Sequence, residues 1–188
     1  SSAVTGSGTV RPIVASSYVL LDVPTVSSAQ SGPSFLAAMS GASGWPGGVL
    51  MQSTDAGGTW EVLRDFSAPG ATLGACENAL VAVEPRLVDH TGVLTVNLRQ
   101  GALYSVSRLA MLGGANACAY GAPGRWEILA AQTITPLGGT RYALQDMLRG
   151  LAGTEWAMGL HAPGDTLLLL VPDDVAVIEA ATADVGRP

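Results

Sequence analysis

The chain has 188 residues, 48% of them hydrophobic and only 13% charged, with a net charge of −6, which fits one domain, or two small intimately packed ones, with a sizeable core. The charged share is about half the usual share of about 25%, so part of the surface is expected to be covered by partners. All nine basic residues are arginine and they lie scattered, among them Arg64, Arg86, Arg99, Arg108, Arg125, Arg141 and Arg149; without a basic stripe there is no surface to neutralise a phosphate backbone.

Residues 1–17 are small and polar, begin without methionine and lack the charged-then-apolar layout of a secretion signal. They read as a linker or N-terminal extension, and the chain as a piece of a longer protein. From residue 18 to residue 171 Gly and Pro punctuate the sequence about every 8–12 positions, leaving short runs between them. Tyr18 to Asp22, Ser34 to Met39, Gly48 to Ser53 and Trp60 to Arg64 read as strands. A weak subdivision falls at residues 67–70. Val93 to Leu98 follows the turn Asp89-His90-Thr91-Gly92, and Trp126 to Thr135, Tyr142 to Gln145 and Thr166 to Val171 continue the strand pattern.

Two segments have helical features. Ser105 to Leu112 places Val106, Leu109 and Leu112 at three-residue spacing, with Ser105 as cap and Gly113-Gly114 as stop. Gln145 to Leu148 allows one helical turn before Arg149-Gly150. Residues 172–188 form a C-terminal tail or strand, and Val175 to Ala183 within them fits a strand or a short helix equally. The longest apolar run, Thr166 to Val171, is far short of the ~20 residues of a membrane-spanning helix. The expected fold is mainly β, with short antiparallel strands in a sandwich- or barrel-like arrangement and one or two short helices.

The sharpest local motif is Ser53-Thr-Asp55-Ala-Gly57-Gly58-Thr59-Trp60, which resembles the Asp-box best known from sialidase-type propellers. Asp55 is expected to accept turn amides, Gly57 and Gly58 to take positive φ, and Trp60 to pack under the hairpin, making the motif a staple rather than a catalytic element. The only histidines, His90 and His161, both fall in turns, and neither accompanies a nucleophile elbow. The acidic residues lack a supporting motif, although a carboxylate pair flanking a cleft, as a glycoside hydrolase would need, is not excluded by sequence. Cys76 and Cys118 read first as buried free thiols, with a disulfide between them the less favoured alternative. No metal-ligand spacing and no cofactor motif is present.

The C-terminal half carries a constellation: Asn116 and Gly121, then Trp126-Glu127, then Tyr142-Ala-Leu144, Leu148-Arg149-Gly150, Gly153-Thr154-Glu155, and His161-Ala-Pro-Gly164-Asp165. In the first half stand Leu21-Asp22-Val-Pro24, Phe35 to Met39, and Trp45-Pro-Gly47 leading to Ser53, Asp55 and Gly57. In order and spacing this resembles the C-terminal region of large phage tail-tip proteins, and most closely the baseplate hub ("megatron") protein of gene transfer agents. The resemblance spans residues 18 to 171. The two cysteines stand outside its pattern, and Met147 stands where leucine is usual.

The resemblance implies a non-enzymatic structural module of a phage-like tail tip, a homotrimer in contact with other tail or baseplate subunits. Tail assembly and contact with a host envelope protein or surface glycan during DNA delivery are its implied roles. Its implied location is a virion or phage-like particle assembled in the bacterial cytoplasm. In such a module Arg149 is expected to bridge backbone carbonyls, Gly150 and Gly153 to permit tight backbone, and Thr154 to cap a turn. Trp126 and Trp156 are expected to be buried, and Glu127 to meet an arginine. The alternative from another class is a carbohydrate-recognition module using the Asp-box hairpin and an exposed tryptophan among Trp45, Trp60, Trp126 and Trp156.

Overall fold

The computed structural model describes residues 15–23 and 34–179. Along the chain come β1 (Ser16–Leu21), β2 (Ser34–Gly41), β3 (Gly48–Gln52), β4 (Glu61–Phe66), β5 (Leu73–Cys76), β6 (Val88–Asp89) and β7 (Leu94–Gln100). A short helix α1 (Arg108–Leu112) precedes β8 (Ala117–Gly121), β9 (Glu127–Gly138) and β10 (Arg141–Leu151); a 3₁₀ turn (Glu155–Ala157), β11 (Thr166–Leu169) and β12 (Val175–Glu179) follow.

Six strands close on themselves. The order β10-β7-β5-β11-β8-β9 returns to β10 because β10 pairs with β7 on one side and β9 on the other, and every pairing round the ring is antiparallel. Closure removes the unpaired edges an open sheet would present. The two-residue strand β6 extends the β7 side of β10, with Asp89 opposite Met147. β7 shows why the ring has an inside: Leu94, Val96 and Leu98 are buried in the barrel core, while Thr95, Asn97 and Arg99 point away.

β8, β9 and β11 lack that alternation because both their faces are covered. Cys118, Tyr120, Leu129 and Leu167 face the barrel interior. Their neighbours Ala119, Ile128 and Leu168 join Trp126, Val19, Leu21, Leu36, Ala38 and Val175 in a second cluster. That cluster lies against a three-stranded antiparallel sheet in the order β1-β2-β12. The β3–β4 hairpin covers the other side of this sheet through Trp45, Phe66 and Leu50, against Ala37, Ala176 and Ile178. The N- and C-terminal strands thus share one sheet, and the barrel wall, the sheet and the hairpin are stacked in that order.

The mainly β architecture and most of the expected strands are present, with two corrections. Gln145 to Leu148 is not a helical turn but the middle of β10, and the strand expected over Tyr142 to Gln145 continues to Leu151. Gly150 occupies a bulge where the register to β9 shifts between Leu148 and Leu151. The cap of α1 is Ser107, whose Oγ accepts the Ala110 N–H at 3.1 Å. Ser105 Oγ is engaged across the barrel, accepting the Ile134 N–H at 2.9 Å. Of the readings left open for the C-terminal residues, Val175–Glu179 is a strand, paired with β2. Pro24, residues 1–14 and residues 180–188 lie outside the described residues. Among the described residues no helix is long and apolar enough to cross a membrane.

Candidate functional site

Glu127 opens β9 and Arg149 sits near the end of the adjacent β10, 22 positions away in sequence. Both side chains are completely buried, and an isolated charge there would be prohibitively costly. They meet as a bidentate pair: Arg149 Nε donates to Glu127 Oε1 at 2.5 Å and Nη2 donates to Oε2 at 2.8 Å. The Gly150 N–H donates to the same Oε1 at 3.0 Å. Gly150 holds φ of 63°, and a Cβ there would stand 2.9 Å from Glu155 Cα, so glycine alone admits this close approach. The second carboxylate oxygen also meets His161 Nε2 at 2.8 Å.

The cluster continues outward from this pair. Arg149 Nη1 lies 3.7 Å from Asp89 Oδ2 and donates to the Val81 carbonyl at 3.4 Å. His161 stacks on Tyr120 with ring centroids 3.9 Å apart, and its Nδ1 lies 3.5 Å from Asp165 Oδ2. Asp165 accepts two bonds from Arg125, at 2.9 and 2.6 Å, and the Ala162 N–H at 3.0 Å. Burial by itself would push the Glu127 carboxyl up, but the bonds from His161 and Arg149 outweigh it and hold it below the ordinary carboxylate range. Asp89 is held low in the same way, burial being overcome by the Gly92 and Thr91 donors and the charge of Arg149.

Arg149 therefore does not bridge carbonyls across a turn as expected. Its fork is taken up by a carboxylate, the geometry a guanidinium matches best, and one carbonyl is all it reaches. Thr154 Oγ1 donates to the Leu151 carbonyl at 2.7 Å and accepts the Ile128 N–H at 2.9 Å, tying the turn after β10 to β9. Gly153 takes φ of 82° in that turn. Asn116 lies elsewhere, its Nδ2 donating to the Tyr104 and Ala131 carbonyls. Tyr142 packs at the fringe of the barrel core, and the Gly164 N–H donates to the Cys76 carbonyl at 2.7 Å. Sequence places Asp89 only in a local turn, where its Oδ1 accepts from Thr91 and Gly92, and Asp165 only at the end of a motif; nothing local joins either of them, or Arg125 and Tyr120, to this cluster.

The Asp-box residues form a separate, exposed turn between β3 and β4. Asp55 Oδ1 accepts from Ser53 Oγ and the Thr59 N–H, and Oδ2 from Thr59 Oγ1, each at 2.8 Å. Ser53 Oγ accepts the Gly57 N–H at the same distance. Of the two glycines expected at positive φ, Gly57 takes it, at 94°, and Gly58 does not. The Thr59 amide, the Thr59 hydroxyl and Ser53 bring the Asp55 carboxyl down to about 2. A depressed native value stabilises the turn above the unfolded value of about 3.9, and this contribution is lost as pH falls through about 2. A ¹³C titration of the Asp55 carboxyl is expected to give a midpoint near 2, with the Thr59 amide shift following it; a midpoint close to 4 would remove the staple.

Trp60 does not pack under this hairpin. It is 59% exposed, because the hairpin seats itself through Trp45, Leu50 and Phe66 and leaves the start of β4 uncovered. Trp156 is likewise exposed, at 58%, on the 3₁₀ turn rather than buried, whereas Trp126 and Trp45 are buried. Trp60 borders a groove of about 600 Å³ between hairpin and sheet, lined by apolar residues including Tyr18, Leu20, Val49 and Met51.

Cys76 and Cys118 are both buried free thiols. Burial pushes the Cys118 thiol up to about 12, and burial with the charge of Asp165 raises Cys76 as well, so neither is an activated nucleophile. On the surface, His90 Nδ1 meets Asp146 Oδ1 at 2.7 Å, and Thr133 Oγ1 donates to Asp146 Oδ2 at 2.6 Å. Thr133 and His90 together hold the Asp146 carboxyl low. Among the described residues no group of three or more His, Cys, Asp or Glu side chains is arranged to hold a metal ion.

Residues 71–168, just over half of the chain, match the sequence pattern of the family described as Rcc01698-like, C-terminal. No curated protein matches the chain. The matched range takes in the ring strands as far as Leu168 and every charged member of the buried cluster, while β1 to β4 and β12 lie outside it.

Proposed function

Since this chain belongs to the Rcc01698-like C-terminal family, we propose that it is a non-catalytic structural module of a phage-like tail tip or baseplate hub, trimeric in its assembly. The carrying observation is where the ordered motif residues go. Glu127, Arg149 and His161, the most chemically capable of them, have side chains with no exposure at all, and they bond to one another and to neighbouring backbone. Gly150, Gly153 and Thr154 shape the backbone around them. Such an arrangement serves architecture, because a reacting group must be reachable by its substrate. The sparse charge and the exposed apolar side chains of β1, β3 and β4 fit a chain that works in contact with other subunits.

Cryo-electron microscopy of the intact particle or assembly carrying this chain tests the reading. Density for residues 18–171 around a three-fold axis at one end of a tail is the expected outcome. A free-standing protein without tail subunits around it would overturn the proposal.

Exposure of Trp60 beside the Asp-box turn favours a second reading, recognition of a host surface glycan. The groove next to Trp60 is apolar, whereas sugar hydroxyls need polar partners, which makes this the weaker of the two. Saturable quenching of tryptophan fluorescence by envelope oligosaccharides, abolished in Trp60→Ala, would promote it.

A further inference from the structure

The stripe Val106, Leu109 and Leu112 has the spacing of a helix face that meets a core, yet the helix turns it away from one. Met111 is the buried residue of α1. It stands two positions from Leu109, about 200° round the helix axis, so seating Met111 turns Leu109 outward. Leu109 is 80% exposed and Leu112 57%. Apart from Met111, every residue from Ser107 to Gly114 is exposed, which makes α1 a knuckle projecting from the barrel wall.

The knuckle is tied down at both ends. Ser105 Oγ accepts the Ile134 N–H and donates to the Ile134 carbonyl, and the Val106 N–H donates to the Gln132 carbonyl at 3.0 Å. After the helix, the N–H groups of Gly113, Gly114 and Ala115 donate to the carbonyls of Leu109, Met111 and Ala110. Asn116 Nδ2 then donates to the Tyr104 and Ala131 carbonyls, at 2.7 and 3.1 Å. Tyr104, 73% exposed, is thereby held beside the same projection. Turning the leucines inward would unseat Met111 and break these bonds.

The charge of this region has one sign. Arg108 is the only charged residue from Gly101 to Gly124, and residues 128–138 of β9, along which the segment runs, carry none. A chain of net charge −6 thus presents an exposed arginine next to exposed leucines, with no carboxylate on the same segment. A bilayer surface matches this chemistry: apolar side chains enter the acyl boundary, an aromatic ring sits among the headgroups, and a guanidinium meets lipid phosphate. A protein partner fits less well, because three side chains offer far less than the roughly 800 Å² per partner of a stable interface. The negative charge elsewhere on the chain is screened beyond about 8 Å at physiological ionic strength.

We propose that the α1 knuckle is a lipid-docking site. Leu109 and Leu112 insert at the surface of a bilayer containing anionic lipid, Tyr104 lies at headgroup level, and Arg108 pairs with headgroup phosphate. The site lies on the membrane and does not span it. It rests on the knuckle alone, so failure of the tail-tip reading would leave it in place.

Co-sedimentation of the chain with phosphatidylcholine vesicles, with and without phosphatidylglycerol, tests the proposal. Half of the chain is expected to be bound at about millimolar lipid when phosphatidylglycerol is present. Leu109→Ser is expected to lower the partition about tenfold. Arg108→Gln should lower it about fivefold with phosphatidylglycerol and hardly at all without it. Both side chains are exposed, so urea midpoints should not move, which separates lost docking from lost fold. Nitroxide-labelled lipid should broaden the methyl signals of Leu109 and Leu112 and spare those of Val49 and Met51. No sedimentation at about millimolar lipid overturns the proposal, as does binding undiminished in Leu109→Ser. Self-association lost in Leu109→Ser, without vesicle binding, overturns it as well and assigns the knuckle to a protein partner.

Discussion

Glu127→Gln is expected to cost about 3–5 kcal/mol, a large part of the roughly 5–15 kcal/mol that holds a domain folded. The amide keeps the shape of the carboxylate but leaves Arg149, with no exposed side-chain surface, only the Asp89 carboxylate 3.7 Å away to offset its charge. The amide also replaces one of the two acceptor oxygens, so either the Gly150 N–H or His161 loses its partner. Arg149→Met is expected to be similarly damaging, stranding Glu127. The double variant Glu127→Leu with Arg149→Met should be less destabilised than the sum of its parts, by more than about 1 kcal/mol, because neither charge is then left alone. It should not recover fully, since Asp89 loses its guanidinium partner. Urea unfolding with an unchanged m-value measures all three. A loss below about 1 kcal/mol for Glu127→Gln would show that the pair contributes little to the fold.

Trp126→Ala is expected to cost about 3–5 kcal/mol. The indole is buried where the barrel wall meets the β1-β2-β12 sheet, among Ala119, Ile128 and Leu168 on one side and the apolar residues of β1 and β2 on the other. Truncation opens a cavity at that junction. Trp126→Phe separates packing from polarity: the indole Nε1 is buried without a hydrogen-bond partner, so phenylalanine removes an unsatisfied donor along with some volume. Its cost should be well under half that of alanine. Equal losses for the two variants would mean that the indole nitrogen has a partner that matters. Thermal or urea unfolding distinguishes the cases.

Much of the secondary structure was legible because the signals that set it act over a few residues. Alternation at Leu94, Val96 and Leu98 marks β7 without reference to anything else in the chain. The Asp-box turn is readable for the same reason, all its bonds lying between Ser53 and Thr59. At Gly150 the residue type marks only a need for backbone freedom, and the pairing of β10 with β9 is what makes the position a bulge. β5 and β8 were missed because runs such as Leu73-Gly-Ala-Cys76 and Ala117-Cys-Ala-Tyr120, covered on both faces or rich in small residues, carry no alternation.

The buried cluster could not be read in this way. Glu127 finds Arg149 across 22 positions and His161 across 34, while Arg125 finds Asp165 across 40, and no periodicity connects such positions. Trp60 and Trp126 make the point most directly. Each follows a glycine-containing turn and stands just before a strand, yet one is 59% exposed and the other 3%, because a sheet covers the start of β9 and nothing covers the start of β4. From its sequence alone this protein is determined to be a short-stranded, turn-punctuated β chain with one stapled hairpin, since propensity, alternation and turn chemistry are local. Closure of the six-stranded ring, the sealing of Glu127, Arg149 and His161 inside it, and the fate of each tryptophan were decided only by tertiary structure. Burial and charge pairing depend on which distant surfaces the fold brings together.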